Sequence, residues 1–135
     1  ITRVMKKQTE VDIEIKPTCA PQFMRIARQK KIPVRFSRGC LAGISYCIIS
    51  PKGNVQPCAY LDIAVGNVRE KPFDEIWRES QMFKELRTLE YEGKCGHCDY
   101  LDSCGGCRAR AYYYSQGNYM AQDDWCLYKP QGACK

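Results

Sequence analysis

The chain has 135 residues, enough for one ordinary domain or a small domain joined to a piece of another. It carries a formal charge of +6, from 21 Lys and Arg against 15 Asp and Glu, and ten cysteines. No apolar run approaches the ~20 residues of a membrane-spanning helix, so no membrane partner is expected.

The chain begins at Ile1 with no initiator methionine and reads as a fragment. No charged, apolar and small-residue leader opens it. A cytoplasmic setting is therefore the default expectation, and there disulfides are rare and dense cysteines more often bind metal. An even cysteine count also suits a disulfide framework in a secreted chain, which stays open as a reading.

Residues 11–15 (Val-Asp-Ile-Glu-Ile) alternate apolar and charged, which predicts a short strand with one buried face. A turn-like stretch, 16–20, follows. Pro21 then opens residues 22–31, where Phe23, Met24, Ile26 and Ala27 in a basic context predict an amphipathic helix. Strand, loop and helix in that order match one unit of a β/α barrel, and Cys19 falls in the loop after the strand. In such barrels that face carries the active site.

Beyond Pro33 the β-rich stretch 44–50, the turn signal 51–54 and the return 55–58 predict a hairpin, with Cys47 on one arm and Cys58 on the other. Pro57 predicts that the second arm is an edge strand. Residues 66–69 read as a loop. Pro72 with Asp74 and Glu75 in the first turn starts a helix, and Met82, Phe83, Leu86 and Leu89 extend an apolar stripe through a second helix, which Gly93 ends. Residues 107–115 allow one more helix, ended by Gly117. The tail at 129–135, with Cys134, reads as loose and without a role.

Cys95, Cys98, Cys104 and Cys107 lie within thirteen residues as C-x2-C-x5-C-x2-C. So short a segment builds no apolar core, and thiolates at this spacing suit a metal or a cluster. A zinc ribbon needs its two knuckles some 15–20 residues apart, and here only residues 99–103 separate them; a treble-clef or cross-braced zinc site remains. Cys95-Gly-His-Cys98 is also the tetrapeptide of thiol-disulfide oxidoreductases, but residues 86–94 are not the buried strand that precedes such a motif. His97 then reads as a loop residue. Iron–sulfur clusters are the third option. Leaving aside Cys19 and Cys134, eight cysteines lie between positions 40 and 126, two sets of four.

The order Cys40-x12-Gly53-x4-Cys58, Cys95-x2-Cys98-x5-Cys104-x2-Cys107, Cys126 resembles the SPASM domain, the auxiliary-cluster domain of many radical S-adenosylmethionine (SAM) enzymes. Residues 66–77 and 83–87 share the likeness, which covers about residues 37–128. The resemblance implies a first 4Fe–4S cluster on Cys40, Cys47, Cys58 and Cys107, and a second on Cys95, Cys98, Cys104 and Cys126. It departs from the common pattern in one place: only Gly105 and Gly106 separate Cys104 from Cys107, where three residues are usual.

With about −2 on each thiolate-ligated cluster, two clusters would bring the charge to about +2. The basic excess then answers sulfur and iron, and no nucleic-acid partner is expected.

Lys16-Pro-Thr-Cys-Ala-Pro21, residues 104–114 and residues 117–126 further resemble the radical SAM proteins of haem d1 and alternative haem biosynthesis, which act on propionate side chains of iron tetrapyrroles. That implies an iron tetrapyrrole substrate and a redox protein as electron donor or acceptor. It makes Cys19 a candidate catalytic residue and Arg108 and Arg110 candidate substrate-binding residues, as bidentate partners of propionates. Tyr112, Tyr113 and Tyr114 are candidates to stack on the macrocycle.

No C-x3-C-x2-C triplet for a SAM-cleaving cluster occurs in the chain. SAM and a third 4Fe–4S cluster would then belong to a preceding segment, and this segment alone should be inactive. The expected fold is α+β: a remnant of a β/α barrel at 1–36, a cluster-bound domain with a hairpin and short helices at 37–128, and the tail. A maturase acting on a peptide is the alternative within the class. A zinc-stabilised binding module is the alternative outside it.

Overall fold

The computed structural model describes residues 1–13 and 15–130. It is an α+β structure with six helices and one three-stranded antiparallel sheet among those residues. None of these helices is long and apolar enough to cross a membrane.

Two separate cores organise the chain. The smaller holds Met5, Phe23, Met24 and Ala27, with Ile32, Val34 and Phe36 packed on it. It joins helix α1 (Thr2–Gln8) to helix α2 (Gln22–Lys30). Pro21 caps α2, and Arg28 and Lys30 in its last turn oppose the negative end of the helix dipole. Lys31 leaves the helix in the left-handed region, at φ 53°, and Phe23 meets Phe36 edge-on at 5.9 Å.

The expected strand at 11–15 differs from what is found. Residues 11–13 are bends and residues 15–17 carry no regular structure, while Glu14 lies outside the described residues. A strand needs a neighbour to pair with, and among the described residues no other strand lies in this part of the chain. Helix α1, by contrast, was not legible, because it buries a single residue, Met5.

The larger core is built on Val55, Leu61, Ile76, Phe83, Leu86, Tyr91, Cys95 and Ala109. Strand β1 (Ile48–Ile49) pairs with β2 (Asn54–Gln56), placing Ile48 opposite Gln56. Gly53 closes the turn at φ 88°, donating from its backbone to Ser50.

A third strand, β3 (Gly66–Asn67), stands where a loop was expected. Tertiary contacts place it: Asn67 Nδ2 donates to the Lys52 carbonyl and to Asn54 Oδ1, and Ile76 leaves no room for a side chain at Gly66. With the order β1-β2-β3, β2 is central and not an edge. Pro57 follows the last paired residue, so its missing N–H costs the ladder nothing.

Helix α3 (Phe73–Glu79) and helix α4 (Gln81–Thr88) meet at Ser80, whose side chain accepts from the Phe83 N–H. Helix α4 stops earlier than expected. Leu89 turns left-handed at φ 61°, and Gly93 opens the four-residue helix α5 (Gly93–Gly96) where it was expected to end α4. Arg87 ties this layer to the loop after Cys40, donating to the Gly43 and Trp77 carbonyls and stacking on Trp77 at 4.4 Å. Helix α6 (Arg108–Tyr114) completes the fold. Residues 131–135, including Cys134, lie outside the described residues.

Phe83 is fully buried and packs on Trp77 with ring centroids 5.0 Å apart. Phe83→Ala should lower stability by about 3–5 kcal/mol, read as a loss in the denaturant midpoint of the anaerobically prepared protein.

Candidate metal centre

The short elements deliver cysteines to two places. Helix α5 supplies Cys95, the turn after it supplies Cys98 and Cys104, and the segment after α6 supplies Cys126. These four line one small cavity with Leu101, Gly105 and Tyr128. Cys40, Cys58 and Cys107 line a second cavity of about 330 Å³. Cys47, just before β1, packs on the main core with Cys58 and Cys107 but does not line that cavity.

The thiols in each place feel one another. Burial pushes Cys104 up to about 12, opposed by the Gly106 N–H, and Cys126, Cys95 and Cys98 push the same way as burial. Burial also raises Cys58, with Cys40 and Cys107 adding to it and the Tyr60 N–H opposing. Cys107, raised by burial in turn, feels Cys40. Groups so placed repel as bare thiolates, and a cationic centre that binds them all as thiolates removes that repulsion. A four-iron cube takes one thiolate on each iron, and the cavity of Cys95, Cys98, Cys104 and Cys126 offers four. The donor set therefore fits iron–sulfur clusters.

The two sets are interlocked through the backbone. The Cys40 N–H donates to the Cys104 carbonyl at 3.1 Å, and the Gly39 N–H to Ser103 at 2.7 Å. Between Cys104 and Cys107 both glycines are left-handed, Gly105 at φ 71° and Gly106 at φ 58°. A Cβ on Gly106 would stand 2.6 Å from Arg108 Nη2 and 3.1 Å from Cys95 Sγ. Two residues suffice for this link only because both are glycine.

Asp123 holds this junction. Its side chain is wholly buried. Oδ2 accepts from the Cys107 N–H at 2.9 Å, Gln22 Nε2 at 3.0 Å and Arg110 Nη2 at 2.6 Å; Oδ1 accepts from Arg110 Nε at 2.9 Å and the Trp125 N–H at 3.2 Å. The Asp123 N–H in turn points at Cys95 Sγ, 3.4 Å away. Burial pushes the Asp123 carboxyl up, but the Arg110 guanidinium and the Cys107 N–H outweigh it and hold it below the usual carboxylate range. Gln22 and Asp123 carried no sequence signal of this kind.

Cys19 is exposed, at φ 54°, and its carbonyl accepts from Arg110 Nη1 at 2.9 Å. It lies where cavities meet. One, of about 410 Å³, is lined by Cys19, Gln22, Arg25, Arg110 and Trp125; the cavity of Cys40, Cys58 and Cys107 opens beside it; and Tyr113, Tyr114 and Trp125 flank a third that also includes Cys107. Tyr113 and Tyr114 are exposed, whereas Tyr112 packs on the core.

The two arginines are placed differently. Arg110 stands at the cleft wall with all three nitrogens engaged. Arg108 is buried, with Nη1 donating to the Tyr119 and Ala121 carbonyls.

The family model for SPASM, an iron–sulfur cluster-binding domain, matches residues 40–108. The chain belongs to the SPASM family. Among curated proteins it is similar to the AdoMet-dependent heme synthase of Oleidesulfovibrio alaskensis, at 48% identity over 88% of this chain and 34% of the relative. It is similar to the AdoMet-dependent heme synthase of Methanosarcina barkeri, at 43% identity over 91% of this chain and 39% of the relative. A mycofactocin maturase of Mycobacterium tuberculosis matches at 38% identity, over 55% of this chain and 20% of the relative. The chain thus spans a little over a third of the length of the heme synthases it matches. No solved structure matches it.

Replacing Asp123 by Asn keeps the shape and removes the charge opposite Arg110. The pair is buried on the aspartate side, so the variant should lose about 3 kcal/mol of stability. Chemical unfolding under anaerobic conditions measures this, with Glu75→Gln, in an exposed pair with Lys71, as the near-neutral control.

Proposed function

We propose that this chain is the auxiliary-cluster part of a radical SAM enzyme that acts on the propionate side chains of an iron tetrapyrrole in haem biosynthesis. The observation that carries this is the extent of the likeness. The heme synthases match 88–91% of the chain, well beyond the 40–108 span of the SPASM match. The first cluster is assigned to Cys40, Cys47, Cys58 and Cys107, and the second to Cys95, Cys98, Cys104 and Cys126. Bound there, such clusters supply one-electron transfer. With four cysteines each, neither keeps an iron open for substrate.

The chain's own residues prepare a face for the substrate. A tetrapyrrole is flat and aromatic with acidic edges. The cleft around Cys19 offers exposed rings at Tyr113, Tyr114 and Trp125 and cations at Arg25 and Arg110. Arg110 is held by Asp123, which also holds the backbone of Cys107, so the cleft wall and the first cluster share one anchor. Arg108 instead turns its guanidinium to the Tyr119 and Ala121 carbonyls. The strand–loop–helix reading of the first 36 residues as the end of a β/α barrel requires neighbouring strands to pair with, and those belong to a SAM-binding domain outside this chain. SAM and its own cluster belong there too.

The maturase match supports a peptide substrate only over the shared 55%. Two measurements separate the readings. Anaerobic reconstitution should give about eight irons and eight sulfides per chain, with a brown absorbance that bleaches with dithionite. Stoichiometric zinc without labile sulfide would refute the clusters. Titration of the full-length protein with iron coproporphyrin should shift the Soret band, and an unmoved band would refute the tetrapyrrole assignment.

A further inference from the structure

Two buried guanidiniums take no part in the ligand sets. Arg108 is 1% exposed and Arg38 8%. Arg108 lies 4.0 Å over the ring of buried Tyr91, and its Nη2 reaches Cys95 Sγ at 3.8 Å. Among the described residues its Nε has no partner. Arg38 Nε donates to the Cys40 carbonyl at 2.9 Å and its Nη1 to the Asp102 carbonyl. Among the described residues its Nη2 makes no well-formed hydrogen bond, although the Arg38 side chain stands toward the Tyr91 hydroxyl. Among the described residues neither arginine forms an ion pair with a carboxylate.

Burying a cation with no counter-charge and an orphaned N–H is costly. Both arginines sit at the two-glycine link. A Cβ on Gly105 would collide with Arg38 Nη2, and one on Gly106 with Arg108 Nη2. The counter-charge lies at the cysteines: Arg108 contacts a sulfur of the Cys95 set, and Arg38 is bonded to the backbone of Cys40, at the start of the other set. Both charges bear on Tyr91, whose hydroxyl donates to the Leu86 carbonyl at 3.1 Å.

We infer that Arg108 and Arg38 are positioning residues, Arg108 donating charge and a hydrogen bond to a sulfur of the Cys95 set and Arg38 bringing its charge to the backbone of Cys40 in the other set, and that each holds the reduction potential of its own cluster up. The inference rests on the two-cluster assignment above. Its physics is general: each one-electron reduction adds negative charge to a cluster, so a nearby cation and an N–H on sulfur favour the reduced form. Burial leaves that interaction little screened by salt.

The test is an EPR-monitored redox titration of the anaerobic, iron-loaded protein. Cys98→Ala and Cys40→Ala first assign the two signals, each deleting one. Arg108→Gln should then shift the reduction equilibrium of the Cys98-dependent signal at least tenfold toward the oxidised form, about 59 mV downward for a one-electron couple, and leave the other signal in place. Arg38→Gln should do the reverse. Arg108→Lys, which keeps the charge but not the fork, should recover part of the shift.

Variants that load fully and leave both potentials unchanged overturn the inference, as does a pair of variants that both move the same signal. If Arg108→Gln does not load, Arg38→Gln decides by the same criterion. Wild-type protein without labile sulfide fails at an earlier step and refutes the cluster assignment itself.

Discussion

A single buried carboxylate, Asp123, joins the parts of this molecule that carry chemistry. It accepts five hydrogen bonds, from Gln22 at the start of α2, from the backbone of Cys107, twice from Arg110 on α6, and from the backbone of Trp125 beside Cys126. The donors come from the start of α2, from Cys107 and Arg110 at the front of α6, and from the loop before Cys126, so the small N-terminal core, the two cysteine sets and the cleft wall all meet there. An ionised carboxylate is tolerated without solvent only when paired and fully bonded. The pairing with Arg110 and the backbone donors meets that condition, and the ordinary charge balance of the site follows from it.

Around this anchor the two cysteine sets are not independent knuckles. The backbone of Cys40 bonds to that of Cys104, and the chain passes from one set to the other through Gly105 and Gly106. Elements of two to nine residues carry few apolar contacts of their own. Their placement depends on side-chain-to-backbone bonds such as those of Arg87, Asn67 and Lys94, whose Nζ donates to the Cys126 carbonyl at 2.9 Å. A fold of this kind gains from metal ligation what it lacks in core.

Local signals were legible in the sequence and tertiary ones were not. Cysteine spacing, the proline-opened helices α2 and α3 and the apolar stripe of α4 are written in neighbouring residues, and the structure contains these elements. Glycines at 105 and 106 are free to take unusual dihedrals across the short link, and both are left-handed. Strand β3 escaped notice because two residues carry no period, and Asn67 and Ile76 fix it from outside. Asp123 fell inside the stretch 117–126, noted only for its likeness, with nothing nearby to mark it as buried. Arg108 and Arg110 looked alike, yet the helix turns one inward to Tyr91 and the other toward the cleft. Small residues at Ala109 and Ala111, both buried, were the available hint that this helix packs closely enough to bury an arginine.

The assignment of Cys107 to a cluster with Cys40, Cys47 and Cys58, away from its local run, ties the two cysteine sets together. It is tested most directly by comparing three anaerobically loaded variants, Cys40→Ala, Cys98→Ala and Cys107→Ala, by EPR after reduction. Cys107→Ala and Cys40→Ala should lose the same signal while Cys98→Ala loses the other. Loss of the Cys98-dependent signal in Cys107→Ala, with the Cys40-dependent signal intact, would contradict it.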